Sequence, residues 1–149
     1  MPTVTPFLWF DDQAEEAMNF YVSIFEDAKP GNVSRAGGRV MSASFELDGR
    51  PYIAFNGGPL FKFTEAISLY VNCENQAEVD DLWSKLSAGG VESRCGWLKD
   101  KFGVWWQIIP SDLPRLLGDP DPGKAKRVMD AMLKMTRIDI AGLQSAHRG

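Results

Sequence analysis

Two stretches of 14 residues in this chain follow the same pattern around a shared Gln-Ala-Glu, and the second begins 63 residues after the first. Residues 8–21 read LWFDDQAEEAMNFY, and residues 71–84 read VNCENQAEVDDLWS. Both copies pass from an apolar segment through a capping residue into an amphipathic helix. A turn and an aromatic-rich strand follow each copy, at residues 48–55 and 100–107. An Ala-Glu pair beside a helix start also recurs by chance, but the matching order of the later elements favours a duplicated module.

Length and composition predict one domain over residues 1–149 with a substantial core, since 44% of the residues are hydrophobic. A net charge of −4 without a cluster of Lys and Arg argues against a nucleic-acid partner. We find no 18-residue apolar stretch and no leader pattern at the N-terminus. The sequence therefore predicts a soluble, cytoplasmic protein with no membrane partner.

Cysteine and histidine usage restricts the possible chemistry. Cys73 and Cys95 are 22 residues apart with no CxxC pattern, which is typical of two reduced thiols on strands. The only histidine, His147, lies near the C-terminus. A His-based metal site or a Ser-His-Asp triad would therefore lack its central residue.

The first module is predicted over residues 3–57 with the order βαβββ. Alternation predicts a strand over residues 3–10, and Asp11 or Asp12 is expected to cap the following helix. A hairpin over residues 32–47 turns at Gly37-Gly38, and a second turn leads to a strand over residues 52–56. The acidic cluster of Asp11, Asp12, Glu15 and Glu16 resembles a pair of catalytic acids. However, capping and the helix dipole explain it sufficiently.

The second module is predicted over residues 66–110. A strand over residues 67–73 leads to Asn75 as helix cap and to a helix over residues 76–87. Strands over residues 91–97 and 102–109 follow, with a turn between them and room for a third, broken strand. The crossover at residues 57–65 contains two aromatics, which suit either a lid over a pocket or a plug at the edge of the core.

A helical tail is predicted over residues 111–146. It starts with a short helical turn at residues 110–114, and a longer amphipathic helix spans residues 124–135. Methionine and aliphatic side chains form a stripe along one side of this second helix. Such a stripe is typical of a docking face, either for the protein's own sheet or for a partner chain.

Four segments carry a resemblance to a known family. The runs FNGGP at 55–59, CGWLKD at 95–100 and FGVWWQIIP at 102–110, with the helix start DQAEEA, resemble the PhnB-like family of the vicinal oxygen chelate superfamily. The resemblance takes in most of the chain, including residues 129–144. It implies an α+β fold in which two βαβββ modules form a cupped mixed sheet around a pocket, with C-terminal helices, in a homodimer.

The same resemblance locates the metal-ligand positions of related enzymes. These fall near Thr5, at Tyr52, near Ser68 and at Gln107, and none of the four is a typical ligand for a divalent metal. We therefore expect neither a metal nor another cofactor, and this absence favours a binding protein over an enzyme.

The cup is expected to be lined by neutral polar and aromatic side chains. Strand alternation gives the ligand-pocket candidates as Thr5, Phe7, Trp9, Tyr52, Asn56, Ser68, Tyr70, Asn72, Trp105 and Gln107, with Ala54 and Ile109 beside them. Ile53 and Phe55, like Trp106, are expected to face the helices. Such a lining suits a small, partly apolar organic molecule, unless the side chains fill the cup themselves.

Three further functions stay open. One is a glyoxalase- or dioxygenase-like enzyme with atypical metal ligands, or one that uses Tyr52 as a proton donor. The second is a methyltransferase, since relatives are often labelled 3-demethylubiquinone-9 3-methyltransferase, although the glycine doublets form no GxG turn. The third is antibiotic sequestration, for which the predicted cup lacks a dense acidic wall.

Overall fold

A computed structural model describes all 149 residues and divides into two compact units, residues 1–63 and 64–149. Each unit contains one four-stranded sheet. The boundary falls inside the predicted crossover, whereas the single domain over residues 1–149 stays a prediction. The helices are short, and none has the length and apolar character that a membrane span requires.

Unit one contains four strands and one helix. Its elements are β1 Phe7–Phe10, α1 Ala14–Ile24, β2 Ala28–Ala36, β3 Arg39–Leu47 and β4 Arg50–Asn56. The sheet order is β1-β4-β3-β2, with β1 parallel to β4 and the other pairs antiparallel. The hairpin turns at Gly37-Gly38 as predicted, but β2 begins at Ala28, four residues earlier than expected.

Unit two repeats this arrangement. Its sheet and first helix comprise β5 Leu69–Cys73, α2 Gln76–Ser87, β6 Val91–Glu92, β7 Trp97–Lys99 and β8 Trp105–Pro110. The order is β5-β8-β7-β6, again with the first pair parallel and the others antiparallel. The structure therefore confirms an α+β fold made of two βαβββ modules, and the broken third strand of the second module is the short β6.

The two module helices begin differently. Asn75 caps α2 as predicted, since its side chain accepts a hydrogen bond from the Glu78 amide. The predicted cap of α1 by Asp11 or Asp12 is wrong, because the N-cap residue is Gln13 and its side chain makes no capping bond. Instead, the Ala14 amide donates to Asn56 Oδ1 of β4 at 2.8 Å. A strand residue 42 positions away thus supplies the acceptor.

A buried carboxylate sets the turn between β7 and β8. Asp100 is 2% exposed, and its Oδ1 accepts hydrogen bonds from the Phe102 amide at 2.9 Å and from the Val104 amide at 3.0 Å. Its Oδ2 accepts one from Trp106 Nε1 at 2.9 Å. Because the turn forms around Asp100, β7 extends through Lys99, where the sequence predicted a turn over residues 98–101.

Three helices follow the second sheet: α3 Asp112–Leu117, α4 Pro122–Met132 and α5 Ile140–Arg148. They enclose an apolar cluster that includes Ile109 of β8, Val128 and Ile138. The predicted stripe over residues 128–135, which runs from α4 into the turn after it, divides accordingly. Its members Val128, Met132 and Met135 pack into this cluster, while Met129 and Leu133 stay exposed. The sequence did not separate α5 from the rest of the tail.

The segment before α5 is hydrogen-bonded to the second sheet and to α2. The Cys95 amide donates to the Met135 carbonyl and the Gly96 amide donates to the Thr136 carbonyl, both at 2.8 Å. Gln76 of α2 binds the same segment through both ends of its amide, at Ile138 and Ile140. The tail is therefore part of unit two and not a loose extension.

The two cysteines are both free thiols, in different surroundings. Cys73 lies buried in β5, and burial followed by the charge of Glu78 raises the pKa of its thiol to about 11. Cys95 was expected on a strand, but it occupies a turn with a φ of 58°. Since the reactive species is the thiolate, Cys73 is suited to packing and not to chemistry.

Candidate functional site

Each sheet has one face that its own module helix covers, and we call the other the open face. In unit one, α1 packs on β3 and β4, where Ala43, Phe45 and Ala54 are buried. In unit two, α2 packs on β7 and β8, where Leu98, Trp106 and Ile108 are buried. The side chains that alternate with these buried residues lie on the open faces.

Aromatic rings cluster on the open face of unit one. Phe7 and Trp9 each contact the Phe55 ring with centroids 5.2 Å apart. Phe61, from the chain after β4, meets Trp9 edge-on at 4.9 Å. Trp9 is held in place because its Nε1 donates to the Gly58 carbonyl at 2.9 Å. Phe7 and Phe61 are 56% and 59% exposed, so the cluster presents aromatic surface.

The predicted facing of β4 is wrong by one residue. In the parallel pair, Phe7 lies opposite Ile53 and Trp9 lies opposite Phe55, so these side chains share the open face. Tyr52 and Asn56 therefore point to the helix side instead. Ala54 is buried there as well.

Tyr52 and Asn56 both have structural roles on the helix side. Tyr52 stacks on the buried ring of Phe45 with centroids 5.4 Å apart, and burial raises the pKa of its phenol. Asn56 holds the start of α1 and donates from Nδ2 to the Val40 carbonyl at 3.1 Å. Because its side chain lies on the helix side, the structure does not support Tyr52 as a proton donor in the cup.

Thr5 lies outside the paired strand. β1 begins at Phe7, four residues later than predicted. The preceding residue, Pro6, has no amide hydrogen and takes part only through its carbonyl, which accepts from the Ile53 amide at 3.0 Å. Thr5 therefore precedes the open-face cluster, and Phe7 is the first strand residue in it.

The open face of unit two is polar as well as aromatic. Tyr70 lies opposite Gln107, and alternation along β8 adds Trp105 to the same face. Gln107 Nε2 donates to Ser68 Oγ at 2.9 Å, which brings together two positions that the sequence assigned separately to the cup. Asn72 is exposed beside them, while its partner Ile109 is covered by the C-terminal helices.

Two side chains of this face were missed by sequence reasoning. Trp97 and Lys99 of β7 lie opposite Gln107 and Trp105, so both share the open face. Lys99 Nζ is 5.9 Å from the centroid of the Trp105 ring. The alternation of Trp97, Leu98 and Lys99 is the sequence signal that indicates a strand here. The turn predicted over residues 98–101 overlaps this strand and hides the signal.

The two crossover aromatics have opposite roles. Phe61 lies exposed beside Trp9 on the open face, whereas Phe63 contacts the ring of Phe10 at 5.2 Å. Phe10 is buried on the helix side of the sheet. The expectation of a core plug thus fits Phe63, and Phe61 adds to the aromatic surface.

Neither open face fits a divalent metal. No three His, Cys, Asp or Glu side chains come together anywhere in the 149 residues. At the positions that the family resemblance assigns to ligands, the side chains are hydroxyls, a phenol and an amide. The amide of Gln107 is already hydrogen-bonded to Ser68. Divalent metal sites in proteins are usually built from carboxylate, imidazole or thiolate ligands, which these positions do not supply.

A groove of about 540 Å³ lies elsewhere in unit two. It is lined by Trp83, Ser84 and Ser87 of α2, by Glu92, and by Thr136 and Arg137. Trp83 donates from Nε1 to the Glu92 carboxylate at 2.6 Å, and Arg137 pairs with Asp80. None of the open-face side chains contributes to this groove.

Comparison with known proteins agrees with the fold. The model of the family described as 3-demethylubiquinone-9 3-methyltransferase matches residues 2–109. A solved structure of a putative 3-demethylubiquinone-9 3-methyltransferase, PhnB protein, from Bacillus cereus is 36% identical, with a TM-score of 0.70. The match covers 74% of this chain and 100% of that one. The family match ends before α3, so the expected resemblance over residues 129–144 lies outside it.

More distant structures share the fold alone. Protein PA1353 from Pseudomonas aeruginosa is 20% identical with a TM-score of 0.60, and the match covers 74% of this chain and 98% of that one. The fosfomycin resistance protein FosX from Listeria monocytogenes is 16% identical with a TM-score of 0.53, covering 70% and 87%. Among curated proteins, none matches the sequence. The chain belongs to the 3-demethylubiquinone-9 3-methyltransferase, or PhnB-like, family of the vicinal oxygen chelate superfamily.

Proposed function

We propose that this PhnB-like protein binds a small, partly apolar organic molecule at the open face of either unit, each taken by itself, through aromatic and neutral polar side chains and without a metal. The observation that carries the proposal is the aromatic cluster of Phe7, Trp9, Phe55 and Phe61. Aromatic rings left on the surface of a sheet offer a large apolar contact area in a fixed geometry. A flat organic ligand is the partner that such a surface favours.

The open face of unit two carries hydrogen-bonding groups beside its own aromatic rings. The Ser68 hydroxyl accepts from Gln107, which leaves its own hydrogen available to a ligand. Burial raises the pKa of the Tyr70 phenol, and the neighbouring Cys73 adds to the shift. A phenol keeps its proton at neutral pH even without such a shift, so the Tyr70 hydroxyl is available as a hydrogen-bond donor to a ligand. A few oriented polar groups beside apolar walls are typical of small-molecule sites.

The family description names a methyltransferase, and the strand-to-helix turns of this chain do not favour that activity. The turns between β1 and α1, residues 11–13, and between β5 and α2, residues 74–75, contain no glycine. A cofactor that binds at such a turn needs close approach of the backbone, which glycine permits. We therefore propose binding and not methyl transfer. Homodimer formation and a cytoplasmic location stay predictions.

Replacing Phe61 with alanine is expected to weaken ligand binding about tenfold, because the ring forms the exposed edge of the aromatic cluster. Binding can be followed by tryptophan fluorescence during titration with a panel of small aromatic amides, phenols and carboxylates. Leu60→Ala is the matched control, since Leu60 is the preceding residue of the same loop and is also apolar and exposed. The proposal fails if no compound of the panel gives saturable quenching.

A further inference from the structure

We infer that the ligand of the unit-two open face is an organic anion, a carboxylate or phosphonate attached to a planar apolar group. This inference rests on the proposed function and specifies the chemical class of the ligand. It depends on Lys99, a partly buried cation on a face whose other side chains are neutral. The sequence had assigned only neutral groups to this region.

Lys99 differs from the lysines that pair with carboxylates. Lys85 and Lys126 form ion pairs with acidic residues one helical turn away, at 3.1 and 2.7 Å. The Lys99 ammonium instead lies over the ring of Trp105, and no carboxylate lies within 4.0 Å of it. A cation held against an aromatic face without a counter-ion favours binding of an anion.

The surroundings of Lys99 contain no acid that neutralises it from the same face. Its partners across the two neighbouring strands are Val91 and Trp105. The acids nearest in sequence are engaged elsewhere, since Asp100 is buried with Trp106 and Glu92 accepts from Trp83. On this face, therefore, no acidic side chain lies opposite Lys99 across either neighbouring strand.

The neighbouring side chains define the rest of the ligand. Lys99 and Gln107 are diagonal partners across the antiparallel pair of β7 and β8, which places such residues about 7 to 8 Å apart. Trp97 and Trp105 are the other two members of this set. An aromatic acid can thus bind Lys99 through its anionic group. Its ring would then contact the indoles of Trp97 and Trp105 and extend toward the amide of Gln107.

The test compares benzoate and phenylphosphonate with the neutral isostere benzamide, by NMR titration of the full-length protein. We expect both anions to bind the wild type at least tenfold more tightly than benzamide. Lys99→Met should abolish this preference while keeping the aliphatic stem, and Lys99→Arg should restore it. Added salt should weaken the binding of the anions and leave that of benzamide unchanged.

Lys101→Met is the matched control, because Lys101 also lies over an aromatic ring, that of Phe102 at 5.4 Å, but belongs to the turn after β7. It should keep the preference for anions. Equal binding of benzoate and benzamide to the wild type, or an unchanged preference in Lys99→Met, would overturn the inference and leave small-molecule binding in place. Absence of binding by all three probes and by the wider panel would overturn the proposed function as well.

Discussion

Replacing Asp100 with alanine is expected to lower the free energy of unfolding by about 3 to 5 kcal/mol. The carboxylate accepts hydrogen bonds from two backbone amides and from the Trp106 indole. Val104 and Trp106 are buried, so their N–H groups would lose an acceptor with no access to water. The hairpin that carries Lys99 and Trp105 depends on these bonds.

Urea unfolding monitored by fluorescence measures this loss, because four of the five tryptophans lie in unit two. Asp100→Asn should be less damaging, since the amide oxygen still accepts from the backbone while its NH₂ group faces the Trp106 donor. Asp81→Ala is the control, since Asp81 forms an exposed ion pair with Lys85 that contributes less than about 0.5 kcal/mol. A loss for Asp100→Ala no larger than that of the control would contradict this role.

Replacing Gly57 with alanine is expected to cost about 3 kcal/mol and to displace the Trp9 ring. A Cβ atom built at Gly57 would overlap the indole of Trp9. The ring cannot move aside freely, because it packs against Phe55 and Phe61 and its Nε1 is bonded to the Gly58 carbonyl. The mutation should therefore break up the aromatic cluster and weaken ligand binding on the open face of unit one.

Gly58→Ala provides a contrast at the neighbouring position. Gly58 has a φ of 88°, and a Cβ atom there would meet nothing within 4 Å. The expected cost is about 1 kcal/mol, from backbone strain alone, with Trp9 left in place. Thermal unfolding gives the stability of both variants, and near-UV circular dichroism reports on the Trp9 environment. If Gly57→Ala keeps the wild-type aromatic spectrum, the packing of Trp9 against Gly57 is not as described.

The architecture was predictable because its signals are local. The helix over residues 76–87 and its Asn75 cap follow from sequence spacing, and the structure has both. The duplication was visible because the two helix starts carry the same short motif at the same distance from a strand. Such patterns depend on neighbouring residues, so one sequence contains the information.

The facing of β4 was not predictable in the same way. Both sets of alternating side chains in this strand are apolar or aromatic, Tyr52 and Ala54 on one side and Ile53 and Phe55 on the other. The alternation along β4 therefore does not indicate which of the two sets of side chains faces the helix. The choice is made by pairing with β1, and Asn56 shows the same dependence because it reaches Ala14, 42 residues away.

Lys99 escaped prediction because of turn chemistry. The segment after Trp97 contains lysines and an aspartate, a composition that favours a turn. Burial of Asp100 moves the turn toward Gly103 and leaves Lys99 in the strand. Lys99 is the side chain that we expect to select an anionic ligand over a neutral one. Its position on the open face thus depends on a buried carboxylate, that of Asp100, on the opposite face of the sheet.

The five indole N–H groups test binding at the open faces most directly. Trp9, Trp97 and Trp105 lie on these faces, whereas Trp83 and Trp106 are buried on the helix side. In a ¹H–¹⁵N correlation spectrum titrated with the tightest compound of the panel, we expect indole signals of open-face tryptophans to shift, while those of Trp83 and Trp106 stay in place. Shifts confined to Trp83, which lines the separate groove, would contradict the account.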